Sequence, residues 1–193
     1  MLLYLNPPSP YARKVVVVAH EVGLAEKVEI LKFDPWIDPE GLIEATPLCK
    51  VPALRTKTGE LFVESGTICE FLMEAAGRPL PAAASERFEI LRRAALTHGM
   101  MDAAFMSVIE KRRPQEKRWQ DWVARQRRAL VRTLPKLELP PPERFDLGDI
   151  TLSCTLAYLD FRLEDLPWRD MRPDLAQWLD HVSERPSMLA SAP

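Results

Sequence analysis

Ser9 and Pro10 constrain this chain more than any other pair, because they fix where its first strand stops and its first helix begins. The apolar run Leu2–Leu5 before them reads as a strand. Val15 to Val18, continued by Ala19 and Val22, follows on a helical scale. Ser9 reads as an N-cap, its hydroxyl accepting from a first-turn amide. Pro10 then takes the first helical position, where a missing N–H costs nothing. A strand feeding a helix through a short loop gathers unpaired amides and the positive end of a dipole in one place. That end suits an anion, a thiolate included, and it equally suits a plain cap. These residues alone leave both roles open.

Further along, residues 10–23 read as a helix closed by Gly23, and Val28 to Phe33 alternates as a second strand. Asp34-Pro35-Trp36 through Pro39 is turn chemistry, followed by a short helix from Glu40 to Ala45. Val51-Pro52-Ala53-Leu54 and Leu61-Phe62-Val63, joined by Lys57-Thr58-Gly59-Glu60, are spaced as a hairpin. Ser65 is placed as the cap of a helix running to about Ala76. Strand, helix, strand, short helix, hairpin and helix together imply a small mixed α/β sheet with helices on its faces, over residues 1–76.

Gly77-Arg78-Pro79-Leu80-Pro81 and the small residues after it read as a linker over 77–85. From 86 to 193 every pattern is helical. One long amphipathic helix runs from Ser85 to about Arg112, and a second from about Glu116 to Leu137. A third starts at Asp146, where Asp149 completes a capping box and Phe145 with Ile150 forms a hydrophobic staple. It is apolar over much of its circumference, which predicts a central position. A last helix covers about Asp174 to Glu184.

Charge excludes some partners. With 26 basic and 28 acidic residues in 193, no overall field favours nucleic acid or an anionic membrane. No apolar stretch approaches the roughly 20 residues of a spanning helix, and residues 1–25 lack a basic segment followed by an apolar core and a small-residue cleavage site, which argues against export. Cys49, Cys69 and Cys154 lack close spacing and the three His are scattered, against both a disulfide framework and a metal site. A cytoplasmic setting fits.

The N-terminal order, the Val51-Pro52 strand start and Glu64-Ser65 ahead of a helix resemble the thioredoxin-like half of a glutathione S-transferase. The all-helical second half with its strongly capped third helix resembles the same family, closest to small bacterial members with a Ser-Pro-Phe/Tyr segment. The resemblance covers nearly the whole chain. It implies a thioredoxin-like domain, a linker and an all-α domain forming the second-substrate pocket. It also implies a homodimer with glutathione as co-substrate and no metal.

Carried over residue by residue, the resemblance makes Ser9 the donor to the glutathione sulfur. Lys50 would lie near the glycine carboxylate, the Val51 backbone would pair with the tripeptide ahead of a cis-Pro52, and Glu64 and Ser65 would hold the γ-glutamyl end. A small hydrophobic electrophile would meet Tyr11, His98, Met101, Asp102 and Phe105. His98 and Asp102 are four apart and share a helix face, so pairing with each other or an interface role stands beside the pocket role. Cys49 sits where many relatives carry Gly; if that position needs a positive φ, Cys fits it poorly. The nucleophile would be the bound thiolate, since no His or Lys adjoins Ser9 in sequence to serve as its base. No Cys lies in Ser9–Ala12, which disfavours a thioredoxin-type oxidoreductase. A glutathione-dependent peroxidase, isomerase or dehalogenase, and a non-catalytic glutathione-binding or regulatory module, are the alternatives.

Overall fold

A computed structural model describes residues 1–192. They divide into two units, Met1–Arg87 with the returning segment 185–192, and Phe88–Glu184. The return of 185–192 to the first unit is not visible in the sequence, which extended the helical half to 193. Its cause is side-chain bonding across more than 160 residues of chain, described below.

The first unit runs β1 (Leu2–Leu5), α1 (Pro10–Glu21), β2 (Glu29–Lys32), α2 (Glu40–Ala45), β3 (Ala53–Arg55), β4 (Leu61–Val63) and α3 (Ser65–Ala75). The strands form one sheet in the order β2-β1-β3-β4, with β1 and β2 parallel and the other two pairings antiparallel. This is the mixed sheet expected from the element order. α1 must cross from β1 to the parallel β2, so an apolar helix is obligatory there, and Val15, Val17 and Val18 are fully buried. Gly23 at φ 77° ends α1 in a Schellman turn, the Leu24 amide donating to Ala19 and the Gly23 amide to His20. Tyr4, Leu42, Ala45 and Ala53 form a small core beneath the edge of the sheet that matters for the site.

The second unit holds most of α4 (Ala84–Glu110), then α5 (Gln120–Thr133), α6 (Leu147–Arg162), α7 (Trp168–Met171) and α8 (Pro173–Ser183); α9 (Pro186–Ala190) belongs to the returning segment. The sequence did not separate α7 or α9, which are 4 and 5 residues long, too short for a periodic signal. α6 is central as predicted: Leu152, Leu156 and Leu159 pack in one core with Leu130, Leu134, Trp168 and Leu175.

Both legs of the capping box at Asp146 and Asp149 are made. A distant residue completes it. Arg93 on α4 donates to Asp146 at 2.6 Å and to Asp149 at 2.9 Å, while Arg144 donates to Asp149 at 2.9 and 3.1 Å. Asp149 is 1 % exposed, and burial holds its pKa above the ordinary value despite the hydrogen bonds from Arg144. Gly148 is required between them, because a Cβ there would lie 2.5 Å from Nη1 of Arg93.

Candidate glutathione site

Three segments leave the sheet of the first unit at one edge, and strand register is the reason. Tyr4 pairs with Ala53, and Ala53 pairs with Val63. The C-terminal end of β1, the N-terminal end of β3 and the C-terminal end of β4 therefore lie side by side. Ser9 follows the first, Val51-Pro52 precedes the second, and Glu64-Ser65 follows the third. Residues 9, 51–52 and 64–65 are thus brought to one edge from separate parts of the chain.

Ser9 caps α1 as expected, its backbone extended at φ −79° and ψ 120° and its Oγ accepting from the Ala12 amide at 3.3 Å. As acceptor in that bond, the hydroxyl keeps its proton to donate elsewhere. Its own amide donates to Asn6 at 2.9 Å, which tightens the loop out of β1. Tyr11, two residues on, is half-buried.

The Val51–Pro52 peptide is cis, with Pro52 buried, Val51 half-buried and Lys50 exposed. Cys49 adopts φ 46°. The positive φ raised as a condition by the sequence is met, so a Cys occupies a left-handed position that costs an L residue roughly 1–2 kcal/mol. Its thiol is pushed above the usual range, first by partial burial and then by the Asp38 carboxylate to which it hydrogen-bonds. It also packs against the small core of the first unit. Cys49 is therefore a protonated, half-buried thiol beside an acid, the opposite of the electropositive setting of a reactive cysteine.

At α3 the structure corrects the sequence reading. Ser65 was placed as the cap; the cap is Glu64, and Ser65 is the first helical residue. Glu64 turns to φ 70° and ψ 128°, which brings its own carboxylate back over the helix end. It accepts from the Gly66 amide at 2.9 Å and from the Ser65 hydroxyl at 3.0 Å. An acid there favours the helix dipole, and the left-handed backbone stores about 1–3 kcal/mol of strain. A Cβ at 66 would meet the carboxylate at 2.8 Å, so a larger residue there would shift the Glu64 side chain. The sequence signal was present in Glu-Ser-Gly, but an exposed Glu at positive φ is too uncommon to predict.

In the second unit, Nε2 of His98 lies 3.8 Å from Oδ1 of Asp102, as helical spacing predicts. Met101 is fully buried, and Phe105 packs against the helical core. Two cavities of this unit touch α4. One of about 30 Å³ is bounded by Arg93, Thr97, Leu137 and Gly148, and an open one of about 350 Å³ by Lys111, Arg118, Val123 and Arg127. Neither is lined by His98, Met101, Asp102 or Phe105. Arg118 donates to the carbonyls of Lys111 and Arg113 and so closes the C-terminal end of α4. Among the described residues, no group of three His, Cys, Asp or Glu side chains could hold a metal ion, and no helix is long and apolar enough to cross a membrane.

The profile of the glutathione S-transferase N-terminal domain matches residues 8–75, the span that contains all three segments at the sheet edge. The profile of the C-terminal domain matches residues 120–181. The chain belongs to the glutathione S-transferase family. A glutathione transferase family member from Pseudomonas fluorescens Pf-5, crystallised with bound glutathione, is 39% identical with a TM-score of 0.92, over 100% of this chain and 98% of that one. A glutathione S-transferase from Methylobacterium radiotolerans in complex with glutathione sulfonate is 32% identical, with a TM-score of 0.90 over 100% and 94% of the two chains. The uncharacterized GST-like protein YibF of Escherichia coli is 31% identical, over 96% of this chain and 95% of its own length. As a family member, the chain has the thioredoxin-like and helical halves that the resemblance implied.

Proposed function

We propose that this glutathione S-transferase binds glutathione along the sheet edge and transfers its sulfur to a small hydrophobic electrophile. One observation carries the reading. The register places residues 9, 51–52 and 64–65 at one edge, and Ser9 there has a hydroxyl proton left over from its capping bond. A tripeptide laid across these segments has its sulfur at Ser9, its backbone at Val51 and its γ-glutamyl end at Ser65. Glutathione bound to a relative of 39% identity, and glutathione sulfonate bound to one of 32%, support the choice of ligand.

Each residue has a physical task. The Ser9 hydroxyl donates to the sulfur at the positive end of α1, which favours the thiolate. A free thiol has a pKa of about 8.5, and each unit of lowering corresponds to about 1.4 kcal/mol. Val51 pairs through its backbone in strand fashion, and the exposed Lys50 ammonium takes the glycine carboxylate. The Ser65 amide at the start of α3 meets the γ-glutamyl carboxylate, and the Glu64 carboxylate meets the ammonium. With an aryl halide, the thiolate pair forms the new C–S bond, the halide leaves with the electrons of the broken bond, and the thiol proton passes to solvent. No serine adduct is formed.

The test is retention on immobilised glutathione followed by turnover of a generic aryl halide. The expected result is retention, conjugation, and a loss of about tenfold or more in rate for Ser9→Ala, equivalent to at least about 1.4 kcal/mol. Retention without turnover across several electrophile classes overturns the transferase reading in favour of a binding module.

A further inference from the structure

The segment after α8 runs back along α1 and is fastened to it at both ends. At the C-terminal end of α1, Arg185 grips the Glu21 carboxylate with two bonds, Nε to Oε1 at 3.0 Å and Nη2 to Oε2 at 2.7 Å. The buried Ser187 hydroxyl donates to the same Oε1. Three bonds to one carboxylate are unusual for the last residue of a helix, where a negative charge opposes the dipole. Burial pushes the Glu21 pKa up, yet the bonds from Arg185 and Ser187 outweigh it and hold the group below the ordinary value. Glu21 is therefore an anchored anion. Its backbone carbonyl takes a further bond from Arg78 at 3.0 Å.

The other end of the segment reaches the first turn of α1. Arg13 donates from Nη2 to the Met188 carbonyl at 3.3 Å and from Nε to Ser191 Oγ at 3.4 Å. Both are long for charge-assisted bonds. Between the two fastenings, Met188 is fully buried and α9 packs on α1. The Arg13 amide donates to the Ser9 carbonyl at 3.0 Å. One residue thus ties the backbone of Ser9 on one side and the C-terminal segment on the other.

We propose that residues 185–192 are a strap that fixes the N-terminus of α1, with Arg13 as the positioning residue that hands this constraint to Ser9. The strap deepens the glutathione reading and rests on it for its consequence at sulfur. The anchoring of α1 itself does not depend on any ligand. Donation from a hydroxyl weakens steeply with angle, so a small rotation of the first turn lowers thiolate stabilisation while leaving Val51 and Ser65 in place. The strap therefore acts on the ionisation of bound glutathione and not on the affinity for its neutral thiol form. The sequence offered only Arg185-Pro186-Ser187, which is also the chemistry of an ordinary helix start.

Two readouts on the full chain decide it. In the ligand-free protein, Arg185→Ala and Arg13→Gln are expected to lower hydrogen-exchange protection of α1 amides by about tenfold, while α6 amides stay within about twofold. With glutathione bound, Arg13→Gln is expected to lower the thiolate absorbance at neutral pH by about threefold or more, while the dissociation constant measured at a pH below the thiolate transition stays within about twofold. Unchanged α1 protection in both variants overturns the proposal. So does equal loss of protection in α1 and α6, which marks a general stabiliser, and so does a loss of affinity that persists below the thiolate transition. If the wild type binds no glutathione, the functional reading fails and the exchange experiment alone decides the strap. Should Arg185→Ala not fold, Ser187→Ala removes one bond to Glu21 without removing a charge and makes the same comparison.

Discussion

Replacing Gly148 by Ala should unfold the helical unit at a markedly lower temperature, although Ala is the better helix former. A Cβ at 148 would stand 2.5 Å from Nη1 of Arg93, 3.0 Å from its Cζ and 3.1 Å from its Cβ. A flexible side chain could step aside, but this guanidinium is held by Asp146 and Asp149, and its side chain is only 10% exposed. Relief requires stretching or breaking at least one bond to a charged group, at about 1.5–3 kcal/mol each, and it leaves the buried Asp149 less compensated. Against this, Gly to Ala in a helix returns up to about 1 kcal/mol. The net expectation is a loss of about 1–3 kcal/mol, or roughly 2–12 °C in Tm at about 2–4 °C per kcal/mol for a chain of this size. Thermal unfolding followed by circular dichroism measures it. Gly99→Ala on α4 is the control, since nothing lies within 4 Å of a Cβ there, and it should stabilise slightly. If Gly148→Ala is as stable as Gly99→Ala, the Arg93 bridge does not fasten the start of α6.

Two further outcomes follow from the charges. Asp38→Asn removes a carboxylate that holds the Cys49 thiol protonated, so alkylation of Cys49 at neutral pH should be slow in the wild type and faster in the variant; equal rates would remove Asp38 from the account. The Asp174 carboxyl is pulled down to about 2 by hydrogen bonds from Arg172. A group with a depressed folded pKa contributes stability that is present above its unfolded value, about 3.9, and is lost as pH falls toward 2. Asp174→Asn should flatten Tm against pH in that window, by under about 1 kcal/mol because the pair is partly exposed; an unchanged slope would contradict the pairing.

Much of the fold was legible because its signals are local. Ser9-Pro10 opening α1, the hairpin around Gly59, and the box of Asp146 with Asp149 each lie within a window of a few residues, where capping and turn chemistry act. Missing from those windows was everything held by distant partners. Arg93 lies 53 residues from Asp146, and Arg185 lies 164 from Glu21, so neither pairing leaves a periodic trace. The site divides in the same way. Ser9, Val51-Pro52 and Glu64-Ser65 were identifiable as three short signals, but only register brings them to one edge. The cap of α3 was assigned to Ser65 because capping preferences point to Ser, while the positive φ at Glu64 lets the acid reach the helix end first. Cys49 was flagged correctly as standing at a position that prefers Gly, and its φ of 46° is the reason.

The central claim is that Ser9 stabilises the sulfur of bound glutathione as thiolate. Ultraviolet difference absorbance at neutral pH, with glutathione saturating the wild type and Ser9→Ala, measures that ionisation without any second substrate. The account predicts a thiolate band in the wild type and its loss in Ser9→Ala, with affinity largely kept by Val51 and Ser65. An equal band in both proteins would contradict it.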